Sequence, residues 1–136
     1  MAPRYLLDTN ICIYIRRRRP PHVLARFEQL KPGEAVLSVV TCGELMYGAA
    51  KLRPVPPGAA ERLEEFLGLV EVLPLGAAAA SRYGEVRAYL ESRGEIIGNH
   101  DLWIAAHALS AGLIVVTNNE REFQRVPDLK IENWLK

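Results

Sequence analysis

The sequence predicts an α/β fold, a parallel sheet between helices in a three-layer α/β/α arrangement, and two observations carry that reading. Short apolar runs alternate with longer segments of helical periodicity, and turn residues bound each run. Strands separated by helices pair in parallel through right-handed crossovers, which leave helices on both faces of the sheet.

The elements follow in order. Arg4 to Leu7 is the first strand, and Asn10 to about Arg18 is a helix stopped by Pro20 and Pro21. His22 to about Leu30 is a second helix, ended by Lys31-Pro32-Gly33. Ala35 to Val39 reads as a buried strand running into a helix from about Thr41 to Arg53. Thr41 and Glu44 have the spacing of a capping box, in which each side chain satisfies a backbone donor of the first turn. A proline-rich loop, Arg53 to Gly58, leads to a helix near Ala59 to Leu67 and a strand from Val70 to Leu73. Ala77 to about Arg93 is a long amphipathic helix, and Gly94 to Asn99 is loop. Gly98 or Asn99 to Ala111 is helix, Leu113 to Val116 strand, Glu120 to Phe123 a helical turn, and Leu129 to Glu132 a last short strand. No repeat, low-complexity segment or second domain interrupts this order, so residues 1–136 read as a single domain.

The bulk numbers agree. With 136 residues, 49% hydrophobic and 24% charged, the chain can bury a core without staples. Seventeen basic against sixteen acidic residues give a net charge of +1, so any affinity for nucleic acid must be local. Cys12 and Cys42 sit in apolar runs without paired spacing and read as reduced core thiols of a cytoplasmic protein. No signal peptide is expected, because the chain enters a strand by about Tyr5. Leu102 to Asn119 carries no Asp, Glu, Lys or Arg, but His107, Ser110 and Gly112 interrupt it; it reads as helix, turn and strand, not as a membrane span.

Three acids stand where this topology predicts one edge of the sheet. Asp8 follows the first strand, Glu44 lies near a helix start, and Asp101 lies in the first turn of another helix. Ligands of open parallel sheets bind in the crevice at the carboxyl ends of the strands. Each acid alone has an ordinary explanation as a cap or as a partner of the helix dipole. Together they repel: two carboxylates about 4 Å apart oppose one another by roughly 4 kcal/mol at an effective dielectric of 20. A hard divalent cation, Mg²⁺ or Mn²⁺, removes that conflict and supports phosphate chemistry.

Four blocks carry a resemblance to a known family: DTNICIYI, SVVTCGELMYGA, GNHDLWIAAHA and VVTNNEREF, in that order. The chain resembles the PIN-domain ribonucleases, specifically the VapC-type toxins of toxin–antitoxin pairs, from about Tyr5 to Trp134. The resemblance implies a parallel sheet of four or five strands between helices, and Asp8, Glu44 and Asp101 as catalytic metal ligands. It implies that Thr9 and Thr117 orient the acids, and that Asn119 occupies the fourth acidic position of many relatives, offering at best a neutral oxygen. The implied activity is Mg²⁺- or Mn²⁺-assisted hydrolysis of RNA, with cleavage in a tRNA anticodon loop ranked first. The implied partners are a VapB-type antitoxin that blocks the acidic site, operator DNA reached only through that antitoxin, and a second copy in a homodimer.

The remaining candidates follow from position. Arg16, Arg17, Arg18 and Arg19 end the helix that starts beside Asp8; they read as an RNA grip or as a solvated helix terminus. His100 reads as a loop residue in contact with solvent, and the scattered His22, His100 and His107 make attack by water a better expectation than proton transfer by a histidine pair. Tyr14 and Trp103 could stack on bases. On the helix from Asn99, Leu102, Ala105, Ala106 and Leu109 make the core stripe; Trp103, with His107 and Ser110, lies off it, which suggests a dimer surface at Trp103.

Three other classes fit less well. A phosphorylated receiver domain would need an acceptor Asp after the strand VEVLPLG, which ends without an acid. A phosphatase of the DxDxT kind would need an acid at Asn10. A catalytically silent PIN-type RNA-binding or scaffold domain would be expected to lack one or more of the three acids, and all are present.

Overall fold

The computed structural model describes residues 2–136. Strand β1 (Tyr5–Leu7) leads into α1 (Thr9–Arg17) and α2 (Pro21–Glu28), then β2 (Ala35–Ser38), α3 (Val39–Ala50) and α4 (Ala59–Leu67). There follow β3 (Glu71–Leu73), α5 (Ala77–Ser92), α6 (Asn99–Ala111), β4 (Ile114–Val116), α7 (Glu120–Phe123) and β5 (Ile131–Glu132). The five strands form one sheet in the order β3-β2-β1-β4-β5, with parallel pairing as the alternation of elements requires.

The pleat of β1 divides the core in two. Tyr5 and Leu7 point to one face, where Ile11, Val23, Leu45, Leu63 and Phe66 pack against them. Leu6 points to the other, toward Val86, Leu90, Leu102, Ile104 and Phe123. Both sets are buried, so β1 is apolar at every position, as a strand covered on both sides must be.

Strand order also fixes where a ligand would enter. From β1 the chain crosses to β2 and β3 on one side, then returns to β4 on the other, so the direction of winding changes between β1 and β4. Leu7 is aligned with Val116 across that boundary, which brings the next residues, Asp8 and Thr117, out side by side at the carboxyl edge.

Four local expectations are corrected. The helix carrying Glu44 begins at Val39, because Ser38 ends β2 and caps α3 directly, its Oγ accepting from Val40 N–H at 3.1 Å. Thr41 is therefore a buried third residue of α3 whose hydroxyl has no partner, and Glu44 has no capping role. His107 is buried, not on an outer face, because α6 packs against α3, α5, α7 and β4 and is covered on several sides. Its Nδ1 lies 2.8 Å from Ser38 Oγ, and burial lowers its affinity for a proton. The last strand is shortened to Ile131–Glu132. His100 belongs to the first turn of α6, not to a loop. Cys12 and Cys42 are free and buried. Among the described residues, no helix is long and apolar enough to cross a membrane.

Candidate metal centre

Asp8 is the N-cap of α1 and is 5% exposed, which leaves a carboxylate nearly without water. Such a group is tolerated only when hydrogen-bonded. Thr9 N–H donates to its Oδ1 at 2.8 Å, and the buried Thr117 hydroxyl donates to its Oδ2 at 2.8 Å. Thr117 Oγ also accepts from Asn119 N–H at 2.9 Å, so β4 steadies the acid of β1 and the loop that follows β4. Thr117 thus orients an acid by its hydroxyl. Thr9 does so by its backbone; its own hydroxyl lies 3.5 Å from His100 Nε2.

Asp101 stands in the first turn of α6, where the helix dipole favours a negative charge. Asn119 Nδ2 donates to Asp101 Oδ2 at 3.1 Å and to Glu122 Oε2 at 2.9 Å. Burial, followed by a hydrogen bond to Glu122 and repulsion from Asp8, pushes the Asp101 carboxyl up to about 8. The same hydrogen bond holds Glu122 below its ordinary value, so the proton resides on Asp101. Glu122 is a carboxylate beside the cleft that the sequence blocks do not single out. The available signal was its spacing, three residues on in a helical turn, which returns a side chain to the same side as its predecessor.

Glu44 reaches the same cleft from α3, but its side chain is 52% exposed and its Oε1 lies 3.9 Å from His100 Nδ1. One ligand atom from each of Asp8, His100 and Asp101 lies within 4.8 Å of the others. The cleft they line is open, with a volume of about 500 Å³. It gathers Asp8, Asp101 and Asn119 tightly, with Glu44 at the rim and His100 in the position expected of a third close ligand.

Thr9 and Glu44 also line a second groove of about 620 Å³ that continues from the cleft between α1, α3 and α4. Arg16, Arg17, Lys51 and Arg62 border it. Arg16 Nε is buried without a hydrogen-bond partner; burial lowers this guanidinium from its ordinary value, and Arg62 and Arg17 push it the same way. Arg18 and Arg19 do not line either cavity. Arg18 closes α1 in the left-handed conformation, φ 59°, which turns the chain away from the helix axis.

The aromatic candidates have partners within the fold. Tyr14 OH accepts from Asn118 Nδ2 at 3.3 Å, and the Trp103 ring stacks on Tyr83 of α5, with centroids 3.9 Å apart and planes at 16°. Tyr83 also donates to Asn99 Oδ1 and receives Arg87 Nη1 at 3.0 Å.

A parallel sheet with carboxylates from the start of α1, from α3 and from α6 converging at its switch point defines an α/β domain with an acidic cleft at its carboxyl edge. The chain belongs to the PIN-domain family, whose profile matches residues 5–129, and within it to the VapC group. It is 44% identical over 132 residues to the ribonuclease VapC2 of Haemophilus influenzae, covering 97% of this chain and 98% of that one. It is 44% identical to a tRNA(fMet)-specific endonuclease VapC of Shigella flexneri, covering 96% and 98%. The DNA-bound VapBC complex of Salmonella typhimurium contains a chain of the same fold, with a TM-score of 0.89, 41% identity, and coverage of 97% and 98%.

Proposed function

We propose that this chain is a Mg²⁺- or Mn²⁺-dependent endoribonuclease, the toxin of a toxin–antitoxin pair. The observation that carries the reading is the convergence of Asp8, Asp101 and Glu44 in one open cleft, on a chain whose relatives are named as ribonucleases. The donor set suits a hard cation: carboxylate oxygens predominate, and burial, with repulsion from Asp8 and Glu122, raises the Asp101 carboxyl's hold on a proton that a cation would replace. When bound, such a cation withdraws charge from a phosphate oxygen and makes a nearby water more acidic. Asp8, fixed at both oxygens, and Asp101, steadied by Asn119, would hold it, with Glu44 closing from the rim. Asn119 acts by positioning Asp101 and Glu122, and Glu122 restores a carboxylate near the position Asn119 leaves neutral.

Attack by water is favoured over attack by the 2′-hydroxyl. His22 is bonded to Leu135 C=O and His107 is buried against Ser38, so His100 alone faces the cleft and the histidine pair is missing. Arg16 and Arg17, with Lys51 and Arg62, are assigned to phosphates flanking the cut; Arg18 and Arg19, which line neither cavity, are assigned to more distant phosphates. The substrate ranked first is a tRNA anticodon loop, on the strength of the Shigella relative's name.

A VapB-type antitoxin is the partner, since related chains are solved within VapBC complexes. The exposed Tyr47 lines the basic groove, which shares Thr9 and Glu44 with the acidic cleft, and offers the antitoxin an apolar contact near the acids. Operator DNA is reached through the antitoxin, because a net charge of +1 gives this chain no general pull toward DNA. The Tyr83–Trp103 stack is assigned to a homodimer contact, and the protein to the cytoplasm as a single PIN unit.

The test is cleavage of total RNA by purified protein with Mg²⁺ or Mn²⁺, mapping new 5′ ends. Cleavage should vanish with a chelator and in Asp8→Asn and Asp101→Asn. Cuts that persist in both variants would refute the reading.

A further inference from the structure

We infer that His100 is a nitrogen ligand of the cation in the acidic cleft and that it biases the site toward Mn²⁺ over Mg²⁺. The inference rests on the metal-dependent reading above, and names a residue and a selectivity which that reading leaves open. The compact group of converging ligand atoms is Asp8, His100 and Asp101, all within 4.8 Å of one another. Glu44, the third acid, stands outside that group with a side chain 52% exposed. His100, with Asp8 and Asp101, would therefore hold a cation in this close set, with Glu44 outside it.

The ring is available for this role. Its Nδ1 is 3.9 Å from Glu44 Oε1, too far for a hydrogen bond, and its Nε2 is 3.5 Å from Thr9 Oγ1, at the outer limit of one. Neither nitrogen is tied by a short contact. The side chain is 29% exposed, so it is set into the cleft wall and does not swing in bulk water. The arrangement also supplies an orienting partner. Metal-bound imidazoles commonly donate their far N–H to a carboxylate, and Nδ1 faces Glu44 while Nε2 lies on the Asp8 side, beside Thr9. Glu44 then acts on the ring as well as on the cation.

Selectivity follows from donor chemistry. Mg²⁺ keeps oxygen ligands and water in a strict octahedron, whereas a transition-series ion accepts imidazole readily. Replacing one oxygen donor by nitrogen therefore favours Mn²⁺, relative to a cleft of carboxylates alone.

The experiment uses the purified full chain with Mn²⁺, followed by electron paramagnetic resonance, and Mg²⁺ as competitor. Wild-type protein should bind Mn²⁺ with a ¹⁴N coupling characteristic of a directly bonded imidazole. His100→Ala should lose that coupling and about tenfold in Mn²⁺ affinity, with Mg²⁺ affinity changed much less. His100→Asn, which offers an amide oxygen, should recover binding without the nitrogen signal, and guards against a folding defect in the alanine variant. Mn²⁺ binding that depends on Asp8 but shows no ¹⁴N coupling would overturn the inference and leave the metal-dependent reading standing. Equal loss of both affinities in His100→Ala would also overturn it. Absence of saturable binding of either ion to the wild type would remove both together.

Discussion

Thr117 Oγ1 and Asp8 Oδ2, from residues 109 positions apart in the chain, are joined by a buried hydrogen bond of 2.8 Å. The bond exists because Leu7 and Val116 are paired across β1 and β4, so the residues that follow them are neighbours. Thr117→Val keeps the shape of the side chain but removes the donor to Asp8 and the acceptor for Asn119 N–H. We expect a loss of about 1.5–3 kcal/mol in denaturant unfolding, the usual range for a hydrogen bond to a charged group. Cation affinity should fall as well, since Asp8 would be free to turn.

Cation binding should depend on pH through Asp101. Its carboxyl is held up to about 8 by burial and by Glu122, and the proton must leave before a metal can use that oxygen. Mn²⁺ affinity is expected to rise with pH, by about tenfold per unit at steepest, and to level off above about pH 8. Glu122→Gln removes a neighbouring negative charge that raises Asp101, so the plateau should begin at lower pH. Calorimetric titration of Mn²⁺ at several pH values checks both; an unchanged midpoint in the glutamine variant would count against the pairing.

The metal-free fold should show the same group with the opposite trend. Between the ordinary value of 3.8 and about 8, the folded state keeps a proton on Asp101 that the unfolded chain has lost. Stability therefore falls as pH rises across that window, and Asp101→Asn should flatten the slope. Glu122, lowered from 4.5, contributes in the other sense, but only up to the region of 4.5, at the bottom of the window. Urea midpoints from pH 4 to 9 for the two proteins measure the difference.

The basic residues should separate by position. Arg17 lines the groove that continues from the acids, whereas Arg19 does not. In an Asp8→Asn background that prevents cutting, Arg17→Ala should weaken binding of a single-stranded RNA and reduce the slope of log affinity against log salt by about 0.7. Arg19→Ala should do less of both. Fluorescence anisotropy over a salt series distinguishes them, and equal effects would argue for a diffuse patch.

Much of this could be read from the sequence, and the exceptions share a cause. Parallel pairing follows from periodicity and crossover rules, whereas the strand order is set by tertiary packing, and α4 and α7 fall on the residues their patterns indicate. Asp8 and Asp101 converge because strand ends and helix starts share one edge. The helix cap did not follow, because Ser38 and Thr41 are both acceptable capping residues and only the abrupt end of β2 selects Ser38. The burial of His107 comes from tertiary packing of α6 against several elements and from its contact with Ser38 of β2, which no periodicity within α6 reveals. The stacking of Trp103 on Tyr83 and the left-handed turn at Arg18 are likewise products of tertiary context. Glu122 joins the site only because the short helix α7 returns its side chain to Asn119.

The central place of β1, between β2 and β4, has a bearing on how the protein is made. Asp8 leaves a ribosome 109 residues ahead of Thr117, so its buried oxygen meets that hydroxyl only after β4 has been synthesised, and Asp101 meets Asn119 and Glu122 later still. A nascent chain arrested before Val115 should therefore retain no Mn²⁺, and a stalled-chain binding assay would reveal it. On this account the acidic cleft stays unable to grip a cation until β4 and α7 have both left the ribosome.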